Sequence, residues 1–269
     1  MDTVFWYKLG LSFIVGSGWV ALSTVAADRY GSRIGGLIGG LPSTVFVSLL
    51  FIGITQTPLV ASETTTLMPL TQGINGIFII VYLILARRGL AAGLLTGLCV
   101  WSLLAGLVAV IGIQHFWVSI CGWAACALGC YLAVARGMTI PARGEVRVRC
   151  TLSQVGLRAL FGGGVIAFAV WAGKLLGPTY GGIFAAFPAM FLSTLVITYR
   201  ARGVEFSRAV GKAMMLSGML NVALYTTAVR YLYTWCGLLS GTILALVFSG
   251  VTGYLTYLLL GSLPSPSRR

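Results

Sequence analysis

The hydrophobic positions of this chain fall into long, unbroken runs rather than alternating with polar ones. A helix needs about 20 predominantly apolar residues to cross a bilayer. Nine runs meet that measure or come close to it: 4–27, 34–54, 67–86, 90–112, 116–135, 157–175, 181–199, 213–234 and 237–261. The pattern predicts an all-α integral membrane protein with nine transmembrane helices joined by short polar connections. The stretches 55–66, 87–89 and 200–212 read as loops, and 136–156 as the one linker. Thr151 and Gln154 have the spacing of a capping box, which places the start of the sixth helix near them.

Two runs carry the same interruption. "GGLIGGLPSTVF" at 35–46 and "GGIFAAFPAMF" at 181–191 each set a glycine pair six and seven residues before a proline. Proline inside a helix has no N–H to donate and crowds the carbonyl four residues back. Those carbonyls belong to Ile38 and Phe184. In hydrocarbon a freed carbonyl needs a protein partner or a polar cavity, so both prolines mark candidate sites.

The interruptions belong to a longer repeat. A shift of 146 residues lays Gly16, Gly18 and Ala21 on Gly162, Gly164 and Ala167, and Pro42 on Pro188. It also lays Met68, Leu70 and Asn75 on Met214, Leu216 and Asn221. With two residues more, Gly89 and Gly93 fall on Gly237 and Gly241. The unit is four helices, giving repeat one at 1–115, an inverting fifth helix with a basic loop at 116–150, and repeat two at 151–269. An odd helix between the copies makes the second enter the membrane from the opposite side, which predicts a 4+1+4 inverted-topology repeat of the kind found in secondary transporters.

Charge orients this arrangement. Of eighteen Lys and Arg, fifteen fall on one side of a nine-span chain, and only Lys8, Lys174 and Arg230 on the other. By the positive-inside rule the N-terminus lies outside and the C-terminus is cytoplasmic in a multi-pass cell-membrane protein. The N-terminal run lacks a basic flank and reads as part of the repeat rather than as a cleavable signal. Composition agrees: 58% of residues are hydrophobic, 9% charged, and the mean hydropathy is +0.96. The net charge of +13 is spread between apolar runs, which excludes a nucleic-acid-binding module. His115 is the sole histidine, and Cys121, Cys126 and Cys130 share one apolar run without a CxxC pair. No acid–base triad or metal site can be built from these, so an enzyme is not expected, nor a metal or other cofactor.

The second half, from "TYGGIFAAFPAMFLSTLVITYRARGVEFSRAVGKAMM" through the last glycine-containing helix, resembles the small four-helix inner-membrane proteins of the GlpM type. The likeness covers roughly 157–260 and rests on the aromatic-plus-glycine helix start, Phe187–Pro188, and the charged stretch 200–208. It implies a small envelope membrane protein, associated in some bacteria with exopolysaccharide production, with no assigned catalytic residues.

Polar residues cluster around the interruptions. Pro42, Ser43, Thr44, Gln72, Asn75, Pro188, Ser193, Thr194 and Asn221 are the candidate substrate-binding set. They are hydroxyls, amides and helix breaks. No acid lies deep in a span, which disfavours a carboxylate proton or cation relay and suits a small neutral or anionic solute. Glycine pairs and asparagines also serve plain helix packing. The favoured reading is a permease or exporter working by alternating access about two proline-broken helices. An ion channel on the same fold, and a non-transporting accessory protein of an envelope polysaccharide or lipid-carrier assembly, stay open beside it. Membrane lipids and a small-molecule or ionic substrate are the expected partners, nucleic acid is not, and homo-oligomerisation is left open.

Overall fold

The computed structural model describes residues 2–29, 42–137 and 150–262, and among these it is helical throughout. The elements are α1 (Thr3–Arg29), α2 (Ser43–Thr55), α3 (Pro58–Thr64), α4 (Met68–Leu85), α5 (Leu90–Ile111), α6 (Phe116–Gly137), α7 (Leu152–Leu175), α8 (Pro178–Ala185), α9 (Ala189–Arg202), α10 (Val204–Cys236) and α11 (Leu238–Ser262). Single 3₁₀ turns at Thr65–Leu67 and Ala86–Arg88 flank α4. The first glycine pair, Gly35 and Gly36, lies outside the described residues, as does most of the 136–156 linker.

Among the described residues, seven helical stretches are long and apolar enough to cross a membrane: Thr3–Ala26, Pro58–Arg88, Leu90–Ile111, Phe116–Arg136, Leu152–Leu175, Pro178–Arg202 and Leu238–Leu255. α2 is apolar but covers only 13 described residues, and the 33-residue α10 is more polar than the seven. Large apolar side chains point outward along several of these helices, as at Leu103, Val110, Trp117 and Ile243. Such faces are compatible with a polytopic membrane protein, because exposed apolar area on this scale is not stable in water.

Two stretches that read as loops are mostly helix. Within 55–66, Thr57 caps α3 by accepting the Val60 N–H at 3.2 Å, and Pro58 occupies the first helical position, where its missing N–H costs nothing. Within 200–212, α9 runs on to Arg202 and α10 starts at Val204, so the connection is Gly203 alone. Its φ of +80° lets one residue reverse the chain where any side chain would be strained. At the start of α7 the capping box forms: Thr151 Oγ1 accepts from Gln154 N and Gln154 Oε1 accepts from Thr151 N.

α1 packs along α7, α4 along α10, α5 on α4 and α11 on α10. Glycines permit the closest of these approaches. A Cβ on Gly16 would lie 2.6 Å from Ile166, and one on Gly162 would lie 2.9 Å from Val20. These contacts are reciprocal, since 16 and 162 differ by 146, as do 20 and 166. Gly163 is seated on Ser17, also 146 residues earlier, and a Cβ there would come 2.9 Å from the Phe13 carbonyl. Close approach of this sort is the main attraction available to helices in an apolar medium.

At one end of the bundle, Glu205 accepts from Arg87 Nε at 2.8 Å and from Arg208 Nη1 at 2.8 Å, while the buried Arg208 donates through Nε to the Leu83 carbonyl at 2.8 Å. The hydrogen bond from Arg87 is the main cause holding the Glu205 carboxyl below its ordinary value of 4.5.

Two predictions follow from these contacts. Gly163→Val should destabilise by about 1–3 kcal/mol, the usual cost of overpacking, and thermal melts in detergent check it. The stability Glu205 provides is fully present above about pH 4.5 and is lost as pH falls through its lowered folded value. The melting-temperature gap between wild type and Glu205→Gln should therefore narrow in acid, and an unchanged gap would remove the network from the stability account.

Candidate functional site

Each proline starts a helix. Pro42, with φ −74° and ψ 61°, precedes α2, and its carbonyl accepts from Phe46 N at 2.7 Å. Pro188, with φ −77° and ψ 41°, precedes α9, and its carbonyl accepts from Leu192 N at 2.9 Å. Before Pro188, α8 stops at Ala185, and the residues up to the proline leave the helical path.

The carbonyl that takes a donor from another helix at this break is that of Ala186, not that of Phe184, four residues before the proline. Phe184 O is served locally by Phe187 N at 3.1 Å. Ala186 O accepts from Asn75 Nδ2 at 2.8 Å, across from α4. The same Asn75 amide donates to Gln72 Oε1 at 2.9 Å, and Asn75 Oδ1 accepts from Trp101 Nε1 at 2.6 Å. Gln72 Nε2 reaches the Gly218 carbonyl on α10 at 3.3 Å. Trp101 stands edge-on to Phe187 at 5.0 Å. Asn75 thus ties α4 to the break and to α5 at once.

A cavity of about 360 Å³ opens where these elements meet. That is within the size range of small-molecule sites, roughly 300–1,000 Å³. It is lined by Pro42, Ser43 and Thr44 of α2, Gln72 and Asn75 of α4, the 186–188 break and Thr194. The far wall is α10, from Val210 to Val222. Seven of the nine candidate residues come together here. Ser193 does not, because its hydroxyl turns back to the Met190 carbonyl at 3.2 Å. Asn221 does not either: it is buried against α11, with Oδ1 accepting from Ser249 at 3.0 Å and Thr252 at 3.3 Å.

The structure adds Arg158 and Ser217 to the lining. Arg158 follows the capping box by one turn, at the mouth of α7, and counts in the sequence only as a topology signal. Ser217 belongs to no motif. Arg158 is the one charged residue among the described lining, and no Asp or Glu is found there. Two of the three bases on the opposite side are engaged within the protein. Lys8 donates to the Ile54 carbonyl at 2.8 Å, and Arg230 donates to Thr66 Oγ1 at 3.0 Å while lying 4.8 Å over the Phe116 ring.

Among the described residues, no group of three or more His, Cys, Asp or Glu is placed to hold a metal ion. No family model matches the chain, and neither a curated protein nor a solved structure matches it.

Asn75 and Asn221 are equivalent in the sequence repeat but not in their surroundings, and substitution should separate them. Asn221→Leu should cost roughly 0.6–2 kcal/mol, the range for lost interhelical bonds in membranes. Asn75→Leu removes three bonds and bares the Ala186 carbonyl, so its loss should be clearly larger. Parallel melts of the two variants measure this, and equal losses would mean that Asn75 does not clamp the break.

Proposed function

We propose that this protein is a polytopic membrane transporter, a permease or exporter, for a small solute that is anionic in preference to neutral. The single observation behind it is the cavity at the proline breaks, which combines hydroxyls, amides and Arg158 with no described acid in its lining. A guanidinium presents five donors and no acceptor, and it pairs best with an oxyanion or carboxylate.

The reading includes nine spans in a 4+1+4 inverted repeat. α2 and α10 overlap the two remaining predicted spans, 34–54 and 213–234. Several contacts support two-fold related halves. Gly16–Ile166 and Gly162–Val20 are the same contact seen from each half, and Gln72 reaches its own counterpart, Gly218. The asparagine carboxamides accept from counterpart positions too, since Trp101 and Ser249 differ by the 148 that also relates Gly89 to Gly237. Gly89 and Gly237 share positive φ, at +138° and +78°. With the basic residues inside, the cavity faces the cytosol through Arg158, Val210 and Ala213.

Uptake by proteoliposomes over a panel of small organic and inorganic anions and matched neutral solutes tests the proposal. Arg158→Gln should lower anion flux about 10- to 100-fold, the scale of a charged hydrogen bond, with neutral solutes little affected and Arg158→Lys partly active. Absence of flux for every solute, from protein that purifies and melts normally, would overturn it.

A further inference from the structure

Among the residues that line the cavity without their counterparts, most come from the second half, including Arg158, Thr194, Val210, Ala213, Met214 and Ser217, all exposed or half-buried; Ser43 and Asn75 do so from the first. The counterparts of those six second-half residues, 146 residues earlier, are Ser12, Ser48, Thr64, Leu67, Met68 and Thr71. Every one of these is at most 1% exposed. At the centre, by contrast, both members of a pair line the cavity, as with Pro42 and Pro188, Thr44 and Met190, and Gln72 and Gly218. The cavity therefore runs from the pairs toward one face, and its mirror on the other face is packed solid.

One counterpart pair of hydroxyls is set apart, with one member on each side. Helical Thr64, Thr71 and Thr198 return their protons to the carbonyl four residues back. Ser48 and its counterpart Thr194 do not, and neither hydroxyl has a partner among the described residues. A buried hydroxyl without a partner costs free energy and calls for a reason. Thr194 borders the cavity, whereas Ser48 is wholly buried. The seal over this region is α8. Gly182 sits on the Thr64 carbonyl so closely that any Cβ would collide with it, and Met68 Cγ would lie 3.4 Å from that Cβ.

We infer that the packed region is a second vestibule, closed in this structure, which opens to the opposite face by the separation of α8 from Thr64 and Met68 while the present cavity closes. Ser48, Thr71 and Ser12 line it when open, so a solute leaving the proline pairs meets hydroxyls there instead of Arg158. The inference rests on the inverted-repeat transporter reading and names the second half of its path. Exchange of conformation between inverted halves is the physical basis of alternating access about a central site.

Cysteine accessibility tests it. In a background with the six native cysteines replaced, Thr71→Cys and Ser217→Cys are introduced singly and treated with a membrane-impermeant maleimide from either face of sealed vesicles. Ser217→Cys should react from the cytosolic face and Thr71→Cys from neither. Adding Gly182→Ala, which wedges the seal, should raise Thr71→Cys modification from the opposite face about tenfold and slow Ser217→Cys to match, as for a two-state shift. Ala213→Trp, which fills the open cavity without touching the seal, should do the same and covers a folding failure of Gly182→Ala. Thr71→Cys staying silent in a folded variant whose Ser217→Cys is blocked would overturn the second vestibule. Solute flux by the unmodified protein is a separate readout. Flux with a silent Thr71→Cys sinks this inference alone, and an opening Thr71→Cys without flux sinks the transport proposal alone.

Discussion

A helix broken among apolar neighbours must find partners for its backbone, and the centre of this molecule is organised around that requirement. At the Pro188 break Asn75 supplies a donor from another helix to the Ala186 carbonyl. Asn75 can do so in a fixed orientation because Trp101 and Gln72 take its remaining capacity. Gln72, so oriented, holds α10 through the Gly218 carbonyl. One amide thus settles the relative positions of α4, α5, the break and α10, and the cavity is the space those positions leave. A leucine at 75 fits the apolar pattern of α4 equally well but offers no donor to the break.

Glycine answers the complementary demand for closeness. α1 and α7 meet where the Ile166, Val20 and Ser17 side chains sit over Gly16, Gly162 and Gly163, and Gly182 lets α8 rest on a backbone carbonyl. Where a backbone lies directly on a backbone, little besides dispersion and weak polar contacts holds it. The same feature that permits a tight seal at Gly182 leaves few interactions to break when it parts.

Much of this was legible in the chain. Hydrophobic run length places the apolar helices because few other structures satisfy such runs, and proline chemistry places the break at 188. The errors have local causes. The stretches 55–66 and 200–212 look like loops because they are polar, yet Thr57 with Pro58 starts a helix and Gly203 turns the chain in one residue. The freed carbonyl was assigned by counting back four residues, which assumes a helix that continues, whereas this one stops at Ala185. Asn75 and Asn221 are indistinguishable in the repeat because their difference lies in the next helix, where Trp101 faces one and Ser249 the other. Arg158 was visible only as a charge, since nothing in the pattern says that the mouth of α7 opens onto the breaks.

The asymmetry between the two faces has two separable sources. Some counterpart positions carry the same or similar residues: Met68 and Met214, Thr71 and Ser217, Ser48 and Thr194. Their different burial cannot come from residue type, and so it reports the conformation in which the halves stand. Other counterparts differ in bulk or charge: Leu67 against Ala213, and Ser12 against Arg158. Leucine fills space that alanine leaves open, and burying an arginine costs more than burying a serine. Both differences favour the state that is open at Ala213 and Arg158. On the two-vestibule proposal, the like pairs make two states reachable by one chain, and the unlike pairs decide which of the two it adopts at rest.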